Sequence, residues 1–335
     1  MRKEHSEAYQ FSGMRLNKNI YNQYGVLVLP AQARLTQKDI ELVIHQKISL
    51  RHEDMEHASI LYLVNSAIKE IKDAFHKIRH SHVIPYEDVR ERIIPIIEEM
   101  SSDAHFSDVF AHLELRDEYT YRHSIGVALI SRLIGVSQGM QEEELLQLTT
   151  AGFLHDVGKV KIPIEIINKP GKLTNEEYAE VKNHTVYGFD IIRGTSEVSY
   201  RYALVALQHH EREDGSGYPY GLQKQEIDLH SKIVAVADVF HAMISKRAYK
   251  NPIPFYHVLK DMSQNAFGSL EPEITLRFLK KIMNLLIGNH VVMSDGSEGK
   301  IIMINSNDPV HPLVAIDGQY VDLSKNRTLH IHQII

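Results

Sequence analysis

The residues best suited to chemistry in this chain come as adjacent pairs of metal-binding types. His155 and Asp156 stand side by side, followed by Val157-Gly158-Lys159. Neighbouring His and Asp on one helical turn can both face a metal ion, and the two oxygens of the aspartate can bridge two ions. Such a pair also arises at helix ends or around a satisfied buried histidine, so alone it decides little. A second pair, His209–His210, opens Gln208-His-His-Glu-Arg-Glu-Asp-Gly-Ser-Gly-Tyr-Pro219. Two imidazoles at a helix end, ahead of a glycine-rich turn, can serve two positions of one cluster. Asp238 lies in the apolar run Val234-Ala-Val-Ala-Asp-Val-Phe240, where a lone carboxylate is costly unless it is paired or metal-bound. Bonding to backbone or to a histidine is the structural alternative; the histidine-rich segments nearby favour a ligand.

The elements that must position these residues read as helices. Residues 113–287 carry long helical patterns between polar turns, with few period-two segments. Ahead of them, residues 39–112 are also helical, and Thr36 with Asp39 has the pattern of a helix cap. Leu61, Val64, Ile68, Ile71, Phe75 and Ile78 recur on one helical face. That stripe fits packing on its own domain, since it is under three full heptads; the other reading is a homodimer through residues 55–80. Val26–Leu29 reads as a short strand, and Pro95 as a kink or end of a helix. Residues 288–335 change to short β-type runs separated by Ser294-Asp-Gly-Ser297 and Asp317-Gly318 turns. The expected architecture is mainly α: a helical bundle over 105–287, an N-terminal mixed and helical region over 1–104, and a small C-terminal β-barrel or meander over 288–335.

Composition narrows the chemistry further. The 335 residues include no cysteine, which excludes disulfides, thiolate metal sites and cysteine nucleophiles. Any metal is then held by histidine and carboxylate, a donor set for iron, manganese or zinc. The formal net charge of −6 gives no overall attraction to a nucleic acid polymer. There is no apolar run of about 18 residues for a membrane span, and the start of the chain lacks a signal-peptide core, so a cytoplasmic protein is expected.

The ordered motifs resemble the HD-GYP group of the HD metal-dependent phosphohydrolases. They are Asp117-Glu-Tyr-Thr-Tyr-Arg-His123-Ser, His155-Asp156-Val-Gly-Lys159, Asn183-His184-Thr-Val-Tyr-Gly188, His209-His210-Glu-Arg-Glu-Asp-Gly-Ser-Gly217-Tyr218-Pro219 and Ala237-Asp238-Val-Phe, with Ser245-Lys-Arg-Ala-Tyr249 as a flank. The resemblance covers about residues 105–285, and the long His-His to Gly-Tyr-Pro motif is its most specific part. It implies an HD-type helical bundle and a cyclic di-GMP phosphodiesterase. It makes His123, His155, Asp156, His184, His209, His210 and Asp238 the metal ligands, with Asp156 bridging two ions. Lys159 would face the substrate phosphate, and Arg212, Gly217, Tyr218 and Pro219 would lie on the substrate side.

Two positions depart from that pattern. Some members carry a glutamate four residues before the first histidine, where it binds a third metal; here that residue is Tyr119, so two metals are expected. The family often has aspartate where this chain has His241, which bears on a supporting contact. The mechanism implied is attack on phosphorus by a hydroxide bound to the two-metal cluster, with Asp156 and Lys159 as the catalytic residues and linear pGpG as product, cleaved further to GMP more slowly. Hydrolysis of another cyclic dinucleotide such as 3′,3′-cyclic GMP-AMP, or sensing without cleavage, are the alternatives. The retention of all seven ligand positions speaks against the second.

Overall fold

The computed structural model describes residues 11, 14–31, 33, 35–51, 54–56, 60–101, 113, 119–245, 255–265 and 269–335. Asp117, Glu118 and the 246–249 part of the flanking motif lie outside the described residues, as do the first ten residues. The chain divides into two compact units, Met1–Leu63 and Val64–Ile335.

The first unit builds its own small core. Two strand pairs, β1 (Arg15–Leu16) with β4 (Met55–Glu56) and β2 (Ile20–Tyr21) with β3 (Leu27–Leu29), are antiparallel. Helix α1 (Gln37–His45) starts at Thr36, whose side chain accepts from the Asp39 backbone while Asp39 accepts from the Thr36 backbone. This reciprocal cap satisfies two of the amide donors that a helix start leaves open. Leu16, Ile20, Leu29, Leu35, Ile40 and Val43 are among the residues buried together.

The second unit is helical with a terminal sheet. Helix α2 (Ile60–Ser81) buries Val64, Ile68, Ile71, Phe75 and Ile78. Phe75 meets Tyr121 edge-on at 5.6 Å and Phe153 at 6.3 Å. These five positions of the stripe are therefore covered by the chain's own helices. Pro95 does not end the helix it stands in. A π turn at Val89–Ile93 leads directly into α3 (Ile94–Ser101), a wider winding that accommodates a proline ring and its missing donor.

Helices α4 (Tyr119–Ser137), α5 (Glu142–Leu154), α6 (Asn175–Lys182), α7 (His184–Arg193), α8 (Tyr200–Gln208) and α9 (Leu229–Ile244) form the centre of the bundle, with α10 (Phe255–Asn265) and α11 (Pro272–Leu285) behind. Helix α4 packs on α5 and α9, and α7 packs on α8 and on a 3-10 turn, Val157–Lys161, that follows α5. That turn approaches α7 closely. A Cβ on Gly158 would lie 1.9 Å from the His184 carbonyl oxygen and 2.4 Å from the Gly188 nitrogen, so only glycine lets the His155–Asp156 turn reach the start of α7.

The C-terminal strands β5 (His290–Met293), β6 (Glu298–Met303), β7 (Leu313–Ile316), β8 (Gln319–Asp322) and β9 (Ile331–Ile334) form one antiparallel sheet in the order β8-β7-β6-β5-β9. Four strands run as a meander and the fifth returns beside the first. Edges β8 and β9 do not pair, so the sheet is open: of the two expected forms it is the meander and not the barrel. The β7–β8 hairpin turns on Asp317 and Gly318, both at positive φ (48° and 77°), the backbone a tight two-residue turn needs.

Candidate metal centre

Three histidines are set by the ends of the helices that carry them. His155 is the C-cap of α5, His209 is the C-cap of α8, and His184 follows the end of α6 by two residues. At each place the Nδ1 nitrogen reaches back to a carbonyl oxygen near that helix end: His155 to Gly152 at 2.7 Å, His184 to Val181 at 2.6 Å, His209 to Ala206 at 3.0 Å. A carbonyl oxygen only accepts, so Nδ1 carries the proton in all three. Nε2 is left as a lone-pair donor directed at the interior. The arrangement also satisfies carbonyls that a helix C-terminus leaves open.

Those nitrogens converge on two aspartates. Asp156 Oδ1 lies 3.2 Å from His184 Nε2 and 3.8 Å from His209 Nε2, while Oδ2 lies 3.3 Å from His155 Nε2 and 3.7 Å from His123 Nε2. Asp238 is divided the same way, Oδ1 at 3.0 Å from His123 and Oδ2 at 3.8 Å from His210. All seven donors predicted from the sequence come together. Asp156, His184, His209 and His210 offer atoms within 4.8 Å of one another, as do His123, His155 and Asp238. Lys159, on the turn after Asp156, places its ammonium on Asp156 Oδ2.

The electrostatics of this interior ask for a cation. His184 Nε2 and His209 Nε2 face each other at 3.3 Å. With both protons on Nδ1, that is lone pair against lone pair. Asp156 Oδ1 and His155 Nε2 are buried without a hydrogen-bond partner, a costly state for polar atoms. Burial holds His209 well below its ordinary pKa and His210 down to about 3, helped at His209 by neighbouring imidazoles. Burial lowers His123 as well. Burial alone would raise both aspartates, but Lys159 and His155 at Asp156, and His123 and His210 at Asp238, hold them well below the usual carboxylate range. His155 moves upward because Asp156 outweighs its burial. Neutral imidazoles and ionised carboxylates are the forms that bind metal, and an all-nitrogen-and-oxygen set suits divalent iron, manganese or zinc.

The segment after His209–His210 folds back over the cluster. Glu211 is 2% exposed, and its two oxygens accept from the backbone of Tyr220 and Leu222 at 2.8 and 2.9 Å. The Tyr218 amide donates to the His210 carbonyl oxygen at 3.2 Å. Its ring stacks on the His210 imidazole with centroids 4.6 Å apart. A Cβ on Gly217 would meet the backbone of His210, Glu211 and Arg212 at 2.5 Å, so this crossing also requires glycine. Pro219 follows through a cis peptide bond. Arg212 is turned inward: its guanidinium donates to the carbonyls of His209 and Glu211 at 3.2 and 2.8 Å. Glu213 pairs with Lys232 of α9 at 3.0 Å, tying the loop to the helix that carries Asp238.

Residues 109–274 match the HD domain family. A relative described as a cyclic di-GMP phosphodiesterase, from Thermotoga maritima, is 38% identical over 220 residues, covering 64% of this chain and 56% of that protein. Over residues 109–274 the chain carries an HD domain, and its motifs there are similar to those of the HD-GYP group. A second relative, a 3′3′-cGAMP-specific phosphodiesterase from Vibrio cholerae, is 33% identical over 186 residues, 56% of this chain and 40% of that protein. The chain spans about half the length of the curated relatives it matches. In fold, it is similar to a HDG"Y"P protein from Bdellovibrio bacteriovorus, with a TM-score of 0.55 at 14% identity, over 82% of this chain and 97% of that one. Among the described residues, no helix is long and apolar enough to cross a membrane.

Within the HD-GYP pattern the two departures have visible partners. Tyr119 stacks on the His123 ring at 5.5 Å, so the place of the extra glutamate holds an aromatic ring. His241 is buried one turn beyond Asp238, with its Nδ1 3.0 Å from His123 Nδ1 and 3.1 Å from the Ser245 hydroxyl. It steers the His123 ring, the part an aspartate would otherwise take. Glu211 is the functional residue that the sequence reading passed over. Its signal was a carboxylate directly after two candidate ligands and before a glycine-rich turn, whose many backbone donors need an acceptor.

Proposed function

We propose that this chain is a metal-dependent phosphodiesterase that opens cyclic di-GMP to linear pGpG, with slower onward cleavage to GMP. The observation that carries this reading is the division of both aspartates between two groups of histidines in one buried interior. Asp156, His184, His209 and His210 would hold one divalent ion. His123, His155 and Asp238 would hold a second, sharing Asp156. Iron or manganese fits the donors best and zinc is compatible. When bound, such ions supply an activated water and neutralise charge on phosphoryl oxygens.

The chain's own residues do the rest. Burial keeps His209 and His210 neutral and the aspartates are ionised, so these four donors need no proton loss to bind. Lys159 already offers an ammonium beside Asp156, where a phosphoryl oxygen would come. Tyr218 forms a wall over His210 that excludes bulk water on that side. Residues 1–104 and 288–335 flank this catalytic part as accessory regions. The reading takes the protein to be cytoplasmic and its substrate to be a small nucleotide rather than a nucleic acid polymer.

The test is metal analysis of protein purified with and without air, together with product identification from cyclic di-GMP. About two ions per chain and release of pGpG are expected. A ratio near three would overturn the role given to Tyr119, and no cleavage of any cyclic dinucleotide by metal-loaded protein would overturn the reading. The Vibrio relative supports 3′,3′-cyclic GMP-AMP as a second substrate, and a parallel assay separates the two.

Lys159→Ala should keep its metal and lose about a hundredfold in turnover, because it removes a charge that stabilises the phosphoryl oxygens without removing a ligand. Metal content and turnover measured on one preparation decide this. Metal loss in the variant would assign Lys159 to assembly of the cluster instead.

A further inference from the structure

Beside the cluster, a cation stands between two aromatic rings with no carboxylate to balance it. Lys182 ends α6, two residues before His184. Its ammonium lies 5.3 Å from the centre of the Tyr178 ring and 5.9 Å from that of Tyr218. Tyr218 in turn stacks on His210. The four side chains form one continuous wall leading away from the donors: His210, Tyr218, Lys182, Tyr178. Among the described residues, Lys182 has no ion pair, whereas Lys169 nearby is paired with Glu177 at 2.6 Å and Lys159 is paired with Asp156. Tyr178 is 51% exposed.

From this arrangement we infer that Lys182, with Tyr178 beside it, holds the half of the substrate that is not being cut. This rests on the cyclic dinucleotide reading. A cyclic dinucleotide has two phosphodiesters and two purine bases. When one phosphodiester is over the donor cluster, the other must lie at the rim. An ammonium held by two rings but without a counter-charge suits a second phosphate: the cation–π contacts fix its position without neutralising it. The exposed ring of Tyr178 suits the adjoining base, since ring-on-ring stacking is tolerant of base identity. The site therefore selects two-phosphate ligands by charge and does not by itself distinguish guanine from adenine. Arg212, turned onto backbone carbonyls, is not needed for this role.

The experiment compares wild-type protein with Lys182→Ala and Lys182→Arg on two substrates under metal-loaded conditions. One is cyclic di-GMP. The other is bis(4-nitrophenyl) phosphate, which has a single phosphodiester and no bases. Lys182→Ala is expected to raise KM for cyclic di-GMP about tenfold with little change in kcat, a loss of the size of one charge-assisted contact. Lys182→Arg should restore most of it, and both variants should cleave the small diester within about twofold of wild type. Lys182→Ala with unchanged kcat/KM for cyclic di-GMP would overturn the inference. An equal loss on both substrates would also overturn it, showing a role in holding the fold. Wild-type protein that cleaves the small diester but no cyclic dinucleotide would overturn the proposed function, and this inference with it.

Discussion

Replacing Asp156 by alanine is expected to lower phosphodiester turnover by at least about a thousandfold and to leave the protein with less than half its normal metal. The size follows from where its oxygens lie. One faces His184 and His209 and the other faces His155 and His123, so a single truncation removes a ligand from both groups of donors. Asp238 cannot stand in, because its own oxygens are already engaged by His123 and His210. Truncation also leaves the Lys159 ammonium beside buried imidazoles with its counter-charge gone, which is unfavourable in itself. Asp156→Asn separates the two effects. It keeps the shape and one strong acceptor but not the bridging charge, so it should fold like wild type and still lose turnover. Metal content by elemental analysis, turnover, and a thermal melt on the same samples provide the check. Wild-type turnover in a metal-depleted Asp156→Ala protein would refute the role of the cluster.

Glu211→Ala is expected to act without touching a ligand. Its carboxylate is the acceptor for the amides of Tyr220 and Leu222. Removing it takes the acceptor from two part-buried donors, at about 1 kcal/mol each. The melting temperature should fall by several degrees, and the loop should no longer press Tyr218 onto His210. The effect on catalysis should appear mainly in KM for cyclic di-GMP, with metal content largely kept. Glu211→Gln should be intermediate, since an amide has one accepting oxygen and presents an NH2 group to the second backbone donor. If Glu211→Ala melted and turned over like wild type, the loop would owe its position to the Glu213–Lys232 pair or to Gly217 instead.

Five of the candidate metal donors were legible in the residues themselves, because each is marked by its neighbours, whereas His123 and His184 entered only through the family resemblance. His155 has Asp156 and a glycine that only a close crossing requires, His209 has His210 and the glycine-rich turn, and Asp238 interrupts an apolar helix. Helix positions were legible for the same reason, through the stripe from Val64 to Ile78 and the cap at Thr36. The substrate side was less so. Arg212 was expected on the substrate side, and its guanidinium closes on main-chain carbonyls. The direction of a long side chain in a loop depends on which acceptors the fold brings near, and spacing does not record that. Glu211 and Lys182 were passed over because spacing does not say which loop amides or rings the fold brings against them. Strand β8, Gln319–Asp322, has no buried residue, so it lacks the apolar run that marked the other strands, and an open meander could not be told from a closed barrel.

The back-bonded imidazoles of His155, His184 and His209 tie metal affinity to helix integrity. Each ring is aimed by a carbonyl in the last turn of the helix that ends just before it, so the entropy of aiming it is lost when the chain folds and not when an ion arrives. A substitution that frays the last turn of α5, α6 or α8 would free a ring to rotate, and the ion would then have to re-order it. Metal retention thus reports on the health of three helix termini. Partial unfolding of the bundle should show itself as metal release before any loss of bulk helix.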